Sequence, residues 1–138
     1  MRSTISCRVA VLCTALLALA TVTWAKTYHL AATSVVPAAS GDVETGTDNN
    51  GNVTVEIKIE HLARPESLTP PATTYVVWFQ QADSQPESQG QLKVGKNLKA
   101  EMKTTTPWQA FDVFVTAEND PMTRTPSDRV LLRTQIQQ

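Results

Sequence analysis

Cysteine is nearly absent from this chain. There are two, Cys7 and Cys13, and both fall within the first 25 residues. Nothing after Ala25 can form a disulfide, act as a thiol nucleophile or offer a thiolate to zinc. Histidine is as scarce. His29 and His61 stand in no H-x-x-x-H or H-E-x-x-H frame, the spacings that bring two imidazoles to one metal, so no metal role is expected. The G-x-S-x-G elbow of serine hydrolases is missing too. Beyond residue 25 no stretch sustains a helical period over three turns. Basic residues are in deficit there: of 12, Arg2 and Arg8 lie in the first 25, leaving 10 against 13 acidic residues and a net charge of −3. A mildly acidic surface with scattered lysines argues against nucleic acid or an anionic membrane as partner.

What is present begins with MRSTISCRVAVLCTALLALATVTWA. Arg2 and Arg8 form a positive start, Val9 to Ala20 is apolar except for Thr14, and Thr23-Trp24-Ala25 places small residues at −3 and −1 of a cut before Lys26. This is the three-part pattern of a secretory signal peptide over 1–25. The alternative is a retained anchor. Val9 to Ala25 is 17 residues, at the short end of the roughly 17–25 a membrane span needs, and several are polar. A lipoprotein cut at Cys13 lacks the small preceding residue, since Leu12 stands there, and there is no twin-arginine pair. The remaining 113 residues, 26–138, suit one domain large enough to bury a core without disulfides or metal.

Alternation dominates that domain. In NVTVEIKIEHL (Asn52–Leu62), Val53, Val55, Ile57 and Ile59 share one parity and Thr54, Glu56, Lys58 and Glu60 the other, the pattern of a half-buried strand. Leu98, Ala100 and Met102 repeat it in Asn97–Thr104, and Val130, Leu132 and Ile136 in Arg129–Gln137. TTYVVWFQ (Thr73–Gln80) and AFDVFVTA (Ala110–Ala117) are apolar on both parities and read as central strands. Gly90–Val94 is a shorter strand, with Gly95-Lys96 as a tight hairpin link into the next. Lys26–Val36 is a first strand ended by Pro37. The segments between, including Pro37–Gly51, are rich in Pro, Gly, Asp and Asn and read as linkers, and the prolines sit where a missing ladder donor costs little. Seven strands imply an antiparallel, immunoglobulin-like β-sandwich with its core over 52–137.

Few residues stand out as chemistry. Asp48-Asn49-Asn50-Gly51-Asn52 hints at calcium, but counted from Asp48 the sixth and twelfth positions are Val53 and Ile59 where an EF-hand needs Gly and Glu. A turn with Asn50-Gly51 at positive φ is the plainer reading, with a looser site on Asp42, Glu44 and Asp48 as the alternative. Asn52-Val53-Thr54 matches a glycosylation acceptor. Asp112 is the one carboxylate in an otherwise apolar strand, with Arg129 or Arg133 as candidate partner, and a structural ion pair is the commoner meaning of such a residue. Trp78 lies mid-strand and reads as core. Trp108 follows Pro107 in a loop and is the candidate ligand-binding residue, as an aromatic platform for sugar.

The run Val53–Leu132, about 80 residues, resembles the extracytoplasmic C-terminal domain of bacterial anti-sigma factors of the sigma-K type. The pieces that carry the likeness are NVTVEIKIEHL, TYVVWF, QGQLKVG, AFDVFVTAE and the ending Pro126-Ser127 with Val130-Leu131. Stand-alone secreted versions, of acidobacterial type, are similar in layout. The resemblance implies the fold and an extracytoplasmic setting. It does not carry over sigma binding, because the cytoplasmic segment with its His/Cys motif has no counterpart here, and it transfers no catalytic residue. The expectation is a secreted or periplasmic, non-enzymatic β-sandwich without cofactor, binding a protein or cell-envelope component. The alternative is a carbohydrate-binding module using Trp108. A membrane enters only if the leader stays as an anchor.

Overall fold

The computed structural model describes residues 25–138, and the leader read over 1–25 lies outside them except for Ala25. The chain runs β1 (Lys26–Ala32), β2 (Ser40–Thr47), β3 (Val53–Glu60), β4 (Thr74–Gln80), β5 (Glu87–Leu92), β6 (Ala100–Thr106), β7 (Ala110–Glu118) and β8 (Val130–Gln137), with one short 3-10 turn at Pro65–Ser67. All are joined in one antiparallel sheet, in the order β5-β4-β7-β8-β1-β2-β3-β6. Among the described residues no helix is long and apolar enough to cross a membrane.

The sheet closes over one core because its inward parity is apolar nearly everywhere. β3 buries Val53, Val55, Ile57 and Ile59 and turns Thr54, Glu56, Lys58 and Glu60 outward, as the alternation predicts. Tyr75, Val77 and Phe79 of β4 meet them with Phe111, Val113 and Val115 of β7 and Leu132 and Ile136 of β8. Each such side chain contributes about 1.5–3 kcal/mol relative to exposure. Residues before Asn52 share this core, among them Leu30, Val36, Ala39 and Val43. β1 ties the halves together: it pairs with β2 through Leu30 and with β8 at Ala31 and Ala32. The first strand is thus internal to the sheet, not an edge. The two edges, β5 and β6, approach without sharing a ladder, and Met102 Cε lies 4.0 Å from where Gly90 would carry a Cβ. The arrangement is nearly a barrel.

Four local expectations need correction. Among the described residues there are eight strands, because β2 occupies part of the stretch Pro37–Gly51 expected as a linker. SGDVETGT looks like turn sequence, yet Val43 and Thr45 are buried, and Gly41 is small because Leu30 and Ile59 crowd it. A Cβ there would sit 2.9 Å from Leu30 Cδ1 and 3.1 Å from the Lys58 carbonyl. Next, Gly95-Lys96 does not close a hairpin: β5 pairs with β4 and β6 with β3, so the link crosses from one edge to the other. Leu98 belongs to this crossover. It has φ 59° and is exposed, not inward, and its strand begins only at Ala100. Last, Val130 and Leu132 do not share a face. A bulge shifts the β7–β8 register, so Val115 opposes Leu132 while Thr116 opposes Val130, and both Leu131 and Leu132 enter the core.

Candidate functional site

The outward side of β2, β3 and β6 is a continuous polar surface. Period two puts Glu44 and Gly46 of β2, Thr54, Glu56, Lys58 and Glu60 of β3, and Lys103 and Thr105 of β6 on it. The charges interlock across strands. Lys58 Nζ lies 3.3 Å from Glu56 Oε1 and 3.8 Å from Glu44 Oε1; Lys103 Nζ is 3.5 Å from Glu56, and Lys99 Nζ 2.9 Å from Glu60. Partial burial works to raise the Glu56 carboxyl, but Lys58 and Lys103 outweigh it and hold it below its ordinary value. Lys58 is held above its own, chiefly by Glu56 and then Glu44. Lys99 raises likewise and Glu60 falls, each through the other. Alternating charge of this kind fixes a patterned electrostatic potential over the face.

Gly46 opens a shallow depression of about 530 Å³ in this face, lined by Glu44, Thr54, Glu56, Lys103 and Thr105, with Ala25 at its rim. A Cβ at Gly46 would fall 2.9 Å from Thr54 Oγ1. A second hollow of about 460 Å³ holds His29, Ser40, Asp42, Lys58 and Glu60. Here His29 Nδ1 contacts Asp42 Oδ1, which the β1–β2 register places directly opposite. The side chains are 88% and 49% exposed, so the pair is a solvated surface dyad.

The opposite outward face, on β4, β7 and β8, carries a buried apolar patch at its centre. Val76, Trp78 and Phe114 are buried there as a second cluster, with Val130 against them. The Trp78 indole N–H donates to Thr116 Oγ1 (2.8 Å), whose hydroxyl donates to Glu118 Oε1 (2.6 Å); the Ser127 N–H donates to that same oxygen (2.7 Å). Arg133 sits 5.0 Å over the Phe114 ring. Trp78 is core, as expected, but of this outer cluster.

No family model, curated protein or solved structure matches this chain. The sites read from sequence therefore rest on where the fold puts them. Trp108 is half-buried. It packs on the core's end with its ring 6.4 Å from Phe111, and it lines neither hollow described above. Asp112 opposes Gln80 and Gln135 and meets neither expected arginine: Arg129 donates to the Pro70 carbonyl at 2.8 Å and Arg133 stacks on Phe114. Asp48 closes the β2–β3 turn. Its carboxylate accepts from the N–H groups of Asn50 (2.8 Å) and Asn52 (2.9 Å) and from the Asn52 amide (2.9 Å), and these bonds, the Asn52 amide first, lower its pKa. Gly51 alone takes positive φ, at 82°, where the turn was expected to use Asn50 as well. Among the described residues no three carboxylates or imidazoles converge as metal ligands. His61, expected to end this strand, lies just past β3, exposed, at φ 54°. The polar face itself was legible as alternation; what alternation does not reveal is that β2 joins it.

Proposed function

We propose that this protein is an extracytoplasmic binding domain without catalytic activity, exported by residues 1–25 and related to the extracytoplasmic domains of anti-sigma factors. Its architecture is an immunoglobulin-like sandwich of two layers, a reading supported by the change of partner within β1 and by the single core that both halves share. The observation that carries the binding role is the interlocked charged face on β2, β3 and β6, which stands outside the core and is not needed to close it. Its partner is a protein or envelope component whose charges complement Glu44, Lys58 and Lys103.

The test is retention on an isolated cell-envelope fraction. The secreted protein binds; Lys58→Glu with Lys103→Glu lowers retention at least several-fold while leaving the melting temperature in place. Equal retention of both proteins defeats the proposal. Titration with cell-wall glycans separates the carbohydrate alternative: tryptophan emission stays unchanged, whereas a shift abolished by Trp108→Ala favours sugar binding. Amino-terminal sequencing of secreted material reads Lys26 first if the leader is cut after Ala25.

A further inference from the structure

The two edges of the sheet differ in how they are finished. β5 slips register between Ser88 and Gly90, opposite Trp78 and Val77 of β4, and Gly90 has φ 115°, a bulge of the kind that turns an edge away from pairing. β6 has no such device. Its seven residues pair with β3 in unbroken register, from Val53↔Thr106 to Ile59↔Ala100. Its backbone polarity follows from the β2–β3 turn. The Asp48 N–H donates to the Asn52 carbonyl, so even-numbered residues of β3 aim their backbone groups at β2 and odd-numbered ones at β6. Their partners in β6, Ala100, Met102, Thr104 and Thr106, aim back at β3. Glu101, Lys103 and Thr105 therefore direct their N–H and C=O groups out of the sheet. All three residues are exposed, and inward-facing Met102 and Thr104 are only half-buried; β5 approaches Met102 on the core side, through Gly90, without sharing a ladder with β6.

We propose that the β6 edge pairs with β6 of a second copy of this chain, antiparallel, about a two-fold axis through Met102. A two-fold pairing that continues both faces must oppose residues of equal parity. Centred on Lys103, it sets lysine against lysine. Centred on Glu101, it sets glutamate against glutamate. Centred on Met102, it sets Glu101 of each chain against Lys103 of the other, twice. These are the residues whose backbone groups point outward, so the same pairs exchange the ladder hydrogen bonds. Met102 then meets its own copy across the axis, at the closer, non-hydrogen-bonded spacing of an antiparallel ladder. Lys103, the lysine that would otherwise guard the edge, keeps Glu56 of its own chain at 3.5 Å and gains Glu101 of the second copy. One seven-residue strand covers far less surface than a permanent dimer needs, so the association is weak and concentration-dependent. The inference goes beyond the binding role above and stands on the edge alone, whatever the envelope assay returns.

The experiment is sedimentation velocity over a concentration series, on protein purified from a host expressing the full chain. Wild type shifts from monomer to dimer. Lys103→Glu and Glu101→Lys each turn two attractive pairs into two repulsive ones and weaken self-association about tenfold or more. An equimolar mixture of the two variants forms a heterodimer, because every cross-strand pair is then opposite in charge. Far-ultraviolet circular dichroism verifies that both variants keep the wild-type fold. A wild type that stays monomeric into the millimolar range overturns the proposal and leaves the edge to a strand of another protein. A dimer indifferent to both substitutions, or single variants whose mixture fails to associate, overturns it as well.

Discussion

The sheet's two outward faces are built on opposite terms. On β2, β3 and β6 the outward residues are charged, half-exposed and satisfied by one another. On β4, β7 and β8 the centre of the outward face is a buried apolar patch of Val76, Trp78 and Phe114, and the buried polar atoms beside it are tied into the relay from Trp78 through Thr116 and Glu118 to Ser127. The first face can change sequence with little effect on folding, because exposed ion pairs exchange one solvated state for another. The second cannot, because its groups have left water and have only each other. A surface free of folding duties is available for recognition, and this is the physical basis for the proposal that binding uses β2, β3 and β6.

The contrast can be broken in order of size. Ile57→Asp, on the inward side of the polar face, places an unpaired carboxylate in the core at a cost of several kcal/mol, within the roughly 5–15 that holds a typical domain folded, so the protein unfolds. Circular dichroism and solubility report it, and a folded, soluble variant would refute the strand's assigned face. Trp78→Ala empties the outer cluster and costs about 3–5 kcal/mol by urea denaturation. Thr116→Val keeps the volume but strands the indole N–H and one bond to Glu118, for about 1–3 kcal/mol. Glu56→Gln and Lys58→Gln, on the charged face, move the urea midpoint least of all, by well under the Thr116→Val shift. A midpoint that moved as far as for Thr116→Val would erase the distinction between the faces.

Acid should act on the polar half first. The carboxyls of Asp48, Glu56 and Glu60 are held below their ordinary values in the folded chain. Such groups stabilise the fold above their unfolded pKa values, and that contribution is lost as pH falls through the lowered, folded ones. Lys58 and Lys99 are raised, so theirs is complete at neutral pH and lost only in strong alkali. The melting temperature therefore falls as pH drops below the ordinary carboxylate range. Asp48→Ala flattens that slope and also lowers the neutral value, because the turn loses its three side-chain bonds.

Much of the fold was legible because a strand's period of two is short enough to read within one segment. β3 needed only its own eight residues to declare its faces, and β4 and β7 declared themselves by having no polar side. β2 was illegible for a reason that lies outside it. Gly41 serves Leu30 and Ile59, which press on it from neighbouring strands, and read alone it looks like a turn. The bulge at Leu131 was hidden in the same way: it exists in the pairing of β8 with β7, and it moves Val130 onto Phe114's side of the sheet. Of the candidate site residues, Trp108 was placed by its proline neighbour in a loop, but its packing against Phe111 depends on a strand it precedes.

The amino-acid sequence by itself determined the class of the fold, the absence of thiol chemistry after Ala25 and the outward charges of β3, since each follows from composition or from alternation along one strand. Tertiary structure alone decided that β2 completes the polar face, that Trp78 looks outward, that Asp112 meets neither Arg129 nor Arg133 and that β6 is an edge without a ladder partner. Those are relations between strands far apart in the chain, set by register and by which groups are left without a neighbour, and no single segment contains them.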